Sequence, residues 1–180
     1  MKMITNKNTK EEVLKAAQNG YFDLYPSLIT GMKEINQNYF SDKEFVSKLM
    51  DITKDSFHVL SNISDELKND KDIILQGMKY NISAIQFASP KLQDDKELVM
   101  QAVKQLGYNL KFISDRLKDD PDIVIEAVKN DSYVLKYASE RIKNNPDLIK
   151  EDSVIDTLLK DADAKVNHTI KDINNREKER

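Results

Sequence analysis

Three stretches of the chain carry a serine, a basic residue and an acidic or amide pair in one register. They are FASPKLQDDKELV at Phe87–Val99, FISDRLKDDPDIV at Phe112–Val124 and YASERIKNNPDLI at Tyr137–Ile149. Two chemistries suggest themselves. A serine column, Ser64, Ser89, Ser114 and Ser139, could supply a nucleophile. The acidic clusters Asp94/Asp95/Glu97 and Asp119/Asp120/Asp122 could hold a divalent cation. The copies speak against both. The third cluster reads Asn144, Asn145 and Asp147, which loses two charges and keeps only the ability to cap a helix. Calcium sites need about six to eight oxygens and usually a glycine turn, which is missing here. No G-x-S-x-G surrounds the serines, and the two histidines, His58 and His168, cannot serve four equivalent hydroxyls. With no cysteine and two histidines, a zinc centre lacks ligands. The four glycines form neither a P-loop nor a dinucleotide fingerprint. The sequence therefore predicts a non-enzyme without metal or cofactor, in which serine and aspartate start helices.

Composition narrows the class. The chain has 180 residues, 39% hydrophobic and 33% charged, enough for a packed core. Net charge is −3, so there is no broad electrostatic pull toward nucleic acid or anionic lipid. MKMITNKNTKEEV does not read as a signal peptide, and no apolar run approaches the roughly 20 residues that span a bilayer. The expected location is the cytoplasm, with delivery into a host cell as a variant of that expectation.

The register repeats every 25 residues. Asp70, Asp95, Asp120 and Asn145 form one column, and Ile74, Val99, Val124 and Ile149 an apolar one. Leu92, Leu117 and Ile142 form a third. A looser copy starts at Asp42, with 28 residues to Asp70, and rejoins the register at Ser64 and Leu67. After each acid, apolar residues fall on one helical face, as in Leu98, Val99, Ala102 and Val103 or Ile123, Val124, Ala127 and Val128. A shorter helix follows, with Leu110, Ile113 and Leu117 or Leu135, Ala138 and Ile142. Pro90 should stop that helix near Ala88 and let Ser89 cap a new turn. Each repeat then holds a long helix, a short helix and a single turn. Helices this short are marginal alone, so neighbours must bury their faces. The fold class is all-α, a short α-solenoid of roughly 25-residue repeats. Residues 1–41 are a cap or degenerate repeat, with a Thr9/Glu12 capping box and Gly20 at the helix end. Residues 42–153 hold repeats starting near 42, 70, 95 and 120, with a partial one at 145. Residues 154–180 form a C-terminal helix and charged tail.

The stretches VMQAVKQLG, FASPKLQDD and YASERIKNN resemble the repeat family catalogued as domain of unknown function 4116. Its units look like V-x-x-A-V-x-x-x-G followed by A-S-x-x-L-x-x-D. The resemblance covers about Asp42 to Leu148. It implies a bacterial or phage-associated α-repeat module, of a kind also found in proteins that pathogens deliver into host cells. It implies no reaction. The first repeat departs from the pattern, with Asn62 in the aromatic column.

Side chains that could meet a partner also recur. Phe87, Phe112 and Tyr137 share one column, with Tyr108 and Tyr133 one turn earlier. Either they fill the gap between repeats, or they form a ridge of the type that anchors protein interfaces. Lys91, Arg116 and Arg141 follow the serines, and Lys79, Lys104 and Lys129 lie on the long helices. The expected function is a protein-interaction module using the aromatic and basic columns. The alternatives are a small phage or pathogen protein that blocks a host enzyme, and a single-stranded RNA binder. The acidic balance disfavours nucleic acid, and no membrane partner is expected. Ile155, Leu159, Ala162, Val166, Thr169 and Ile173 form a weak heptad seam. That helix is expected to cap the last repeat, with a homodimeric coiled coil as the alternative.

Overall fold

The computed structural model describes residues 4–20, 32–129 and 131–149. Every element among the described residues is helical and none is a strand. The chain divides into two compact units, Met1–Ala102 and Val103–Arg180. The expected C-terminal helix and its seam lie outside the described residues.

The N-terminal unit opens with α1 (Lys10–Gln18), started by the expected capping box of Thr9 and Glu12. Asn19 ends it, and Gly20 follows at φ 72°, where glycine avoids the clash a side chain would bring. A 3₁₀ turn, Gln37–Ser41, leads into α2 (Lys43–Thr53). Then come α3 (Ser56–Leu60), the single turn α4 (Asp65–Lys68) and α5 (Lys71–Met78). A 3₁₀ turn at Ala84–Phe87, the single turn α6 (Pro90–Gln93) and α7 (Lys96–Gln105) complete the series. The unit boundary falls within α7. The C-terminal unit repeats the plan: a 3₁₀ turn at Gly107–Phe112, α8 (Asp115–Lys118), α9 (Pro121–Val128), a 3₁₀ turn at Ser132–Tyr137, α10 (Glu140–Lys143) and a 3₁₀ turn at Pro146–Ile149.

The expected order of long helix, short helix and single turn is present, with one change. In the later repeats the short helix is 3₁₀. Each holds only four to six residues, and such short pieces favour the tighter winding. The first repeat differs through its extra residues. These lengthen α2 to Thr53, Lys54 then turns the chain with φ 56°, and the short helix α3 is a true α-helix.

Burial follows the helical face predicted for the long helices. Phe45, Val46, Leu49 and Met50 are buried on α2, and Ile73, Ile74, Gly77 and Met78 on α5. Leu98, Val99, Ala102 and Val103 are buried, as are Ile123, Val124, Ala127 and Val128 on α9. From the second repeat on, the third of these positions is small, and each unit shows why. In the N-terminal unit the buried Ser56 Oγ donates to the Gly77 carbonyl at 2.8 Å. In the C-terminal unit Gly107 lies against the Ala127 carbonyl, so close that a Cβ there would stand 2.0 Å from the oxygen. The start of one repeat's short helix thus rests on the backbone of the next repeat's long helix.

Gly107→Ala forces that backbone contact apart. We expect a loss of about 1–3 kcal/mol in urea unfolding, toward the upper end because a carbonyl cannot swing aside. Gly77→Ala should cost less, since the atom it meets is the movable Leu60 Cδ1 at 2.5 Å.

Candidate functional site

The serine column is structural chemistry. Ser64, Ser89, Ser114 and Ser139 accept the N–H of Leu67, Leu92, Leu117 and Ile142, starting the four single turns. Ser64, Ser89 and Ser139 also reach back one repeat. The Ser89 N–H donates to the Lys68 carbonyl at 2.8 Å and its hydroxyl to Asn69 Oδ1 at 2.9 Å. In the C-terminal unit the Ser139 N–H donates to the Lys118 carbonyl at 3.0 Å and its hydroxyl to Asp119. Ser64 N–H likewise reaches the Phe40 carbonyl at 3.0 Å. In Ser89 and Ser139 the hydroxyl thus both accepts within its own turn and donates to the repeat before.

The adjacent acids face different ways, which explains why they occur in pairs. Asp119, at the end of α8, receives Ser139 and the guanidinium of Arg141 from the following repeat. These partners, Ser139 first, hold its carboxyl below the ordinary range. The second acid looks to its own helix and to the repeat before. Asp70 caps α5 and pairs with Lys43, which also reaches Asp72. Asp95 accepts the Leu98 N–H at 2.9 Å and pairs with Lys71, which also reaches Glu97 at 2.9 Å. Lys10 and Asp42 start the same series. The carboxylates are therefore matched to cations rather than gathered around a metal. Among the described residues no group of three or more His, Asp or Glu could hold an ion. His58 Nδ1 meets Asp55 Oδ2 at 2.6 Å, and Asp55 caps α3, so this pair also sits at a helix start. His168 lies outside the described residues.

The aromatic columns form a different kind of surface. In the C-terminal unit Tyr108 packs edge-on against Phe112, at 5.7 Å between centroids, and against Tyr137 at 5.4 Å. Phe112 and Tyr137 are half-buried, whereas Tyr108 is 36% and Tyr133 62% exposed. The two expected roles are thus divided among the residues. Tyr108 and Tyr137 pack across the joint between repeats, Phe112 packs on Tyr108 within its own repeat, and Tyr133 stands outward. Each repeat's pair of rings carries a lysine. Lys136 Nζ lies 3.6 Å from the Tyr133 ring centre and 4.8 Å from that of Tyr137. Lys111 Nζ lies 5.5 Å from the ring centre of Tyr108 and 5.6 Å from that of Phe112. It also donates to the Tyr108 hydroxyl at 3.2 Å. Hydrogen bonding with Tyr137, then with Lys111, holds the Tyr108 phenol below its ordinary value. In the N-terminal unit Phe87 is half-buried and packs at 5.1 Å against Phe57 of the preceding repeat, as Tyr137 does on Tyr108.

The basic residues expected beside this ridge are placed otherwise. Arg141 is tied to Asp119, through both carboxylate oxygens at 2.9 Å and the backbone carbonyl at 2.6 Å. Lys91 and Arg116 are exposed on their single turns. The lysines that touch the rings are Lys111 and Lys136, which the sequence reading passed over. Their signal was present: YNLKF at Tyr108–Phe112 and YVLKY at Tyr133–Tyr137 are 25 residues apart and share one pattern.

The profile of the family described as domain of unknown function (DUF4116) matches residues 42–93, 95–143 and 120–151, together more than half of the chain. The chain belongs to this family. The first two DUF4116 matches each span about two repeats, and the third overlaps the second. Neither the curated proteins nor the solved structures contain a match to the chain. Among the described residues no helix is long and apolar enough to cross a membrane.

The ion pairs set an acid limit to stability. Asp95 is held below its ordinary 3.8, first by the Leu98 N–H and then, against some burial, by Lys71. Burial opposes ionisation of Asp70, yet Lys43 and the cap bonds bring it below 3.8 as well. A lowered native value stabilises the fold above the ordinary carboxylate range, and that contribution fades as pH falls through the native values. We expect urea unfolding midpoints to drop between pH 7 and pH 3. The drop should be smaller in Lys43→Met/Lys71→Met; an equal drop would mean these pairs do not set it.

Proposed function

We propose that the chain is a non-catalytic protein-interaction module, with its repeats stacked as a short α-solenoid. The recurring bond from a serine N–H to the preceding repeat supports the stacking. The contact face in this reading is the ridge of Tyr108, Phe112, Tyr133 and Tyr137. One observation carries it. Tyr133 is a large aromatic left 62% exposed, yet its ring is covered by Lys136 at 3.6 Å. An exposed ring held in one place loses little freedom on binding, and tyrosine is among the residues that dominate interface energies. The serines and acids, by contrast, are occupied in holding helices and repeats together. An inhibitory role against a host enzyme would use the same face, and the identity of the partner would decide it.

Site-specific photo-cross-linking tests the reading. With p-benzoylphenylalanine replacing Tyr133, the full chain should give discrete protein adducts in its native cells. The same group replacing Asp115, whose side chain is 99% exposed on α8, should give none. Equal labelling at the two positions, or none at either, would remove the ridge as the contact face.

A further inference from the structure

Among the described residues of the C-terminal unit, two kinds of cation stand apart. Lys118 pairs with Asp115, Lys129 with Glu126, Lys143 with Glu140 and Arg141 with Asp119. Lys111 and Lys136 instead lie over rings, and among the described residues neither makes an ion pair with a carboxylate. Both are exposed at the same position of successive repeats, and no described carboxylate pairs with either. The neighbouring acid, Asp131, is engaged at the start of its own turn, where it accepts the Tyr133 N–H at 2.8 Å. Apolar ring faces and two exposed lysines are side by side. A complementary ligand offers carboxylates spaced along an apolar segment.

We infer that the ridge takes an acidic linear segment of a partner protein, with carboxylates seated on Lys111 and Lys136 and apolar side chains against Tyr108, Phe112, Tyr133 and Tyr137. This rests on the interaction reading above and adds the chemistry of the partner. Packed helices stand about 8–10 Å apart. A polyproline II segment has three residues per turn and advances about 3.1 Å per residue, so acids three residues apart share one face at about 9 Å and match adjacent repeats. A nucleic acid is the poorer fit. Two lysines in a chain of net charge −3 do not match a continuous run of phosphates, which needs a basic surplus.

The test is fluorescence anisotropy on the full chain, with fluorescein-labelled Glu-Leu-Leu-Glu-Glu-Leu-Leu-Glu as the probe. Binding should weaken with added salt. It should fall roughly five- to tenfold in Lys111→Gln/Lys136→Gln, the loss expected from two exposed ion pairs. Lys111→Arg/Lys136→Arg should restore it, with circular dichroism melts showing that both variants fold. Unchanged affinity in the Gln variant would overturn the inference. So would tighter binding of a labelled oligothymidine strand than of the peptide. If the Tyr133 position cross-links to protein while the peptide ignores the lysines, the interaction reading stands and the acidic partner falls. If both fail, both fall.

Discussion

The hydroxyl of Ser89 accepts the Leu92 N–H at 3.3 Å and donates to Asn69 at 2.9 Å. The first bond starts a helical turn. The second, with the Ser89 N–H on the Lys68 carbonyl, fixes that turn to the repeat before it. Ser139 does the same to Lys118 and Asp119 in the C-terminal unit. Turns of four residues have no stability of their own. Fixing their starts to the preceding repeat is what holds the long helices at the spacing where their apolar faces meet. The Lys43, Lys71 and Arg141 pairs add to the same joint from its exposed side.

Much of this was legible in the sequence because it depends on local rules. Caps, prolines and a 25-residue apolar register are read within a few residues of one another. They gave the helix starts at Ser89 and Asp95 and the buried faces of α7 and α9. The backward reach of the serines was not legible. A cap is a contact along the chain, whereas the bond to Asn69 or Asp119 depends on how two repeats meet. For the same reason the acid pairs read as one cluster, although their members turn toward different neighbours. The 3₁₀ winding of the short helices was missed because periodicity over four to six residues does not separate it from α.

The ridge follows from the joint. Tyr108 and Tyr137 meet between repeats, and Tyr133 is left outward. Lys111 and Lys136 share the short helices of these rings and lie across them. The cations expected at the ridge failed in one instance for an identifiable reason. Arg141 sits one turn past its serine, within reach of the acid that the serine also engages, and is drawn into the joint. Lys111 and Lys136, inside the aromatic motif, lie over the rings instead.

The central claim is that the serine joins its repeat to the preceding one, beyond capping its own turn. A double-mutant cycle on Ser89→Ala and Asn69→Ala, followed by urea unfolding, measures that directly. The account predicts a coupling energy of about 0.5–1 kcal/mol between the two residues. Effects that add to within about 0.3 kcal/mol would contradict it and leave Ser89 as a cap alone.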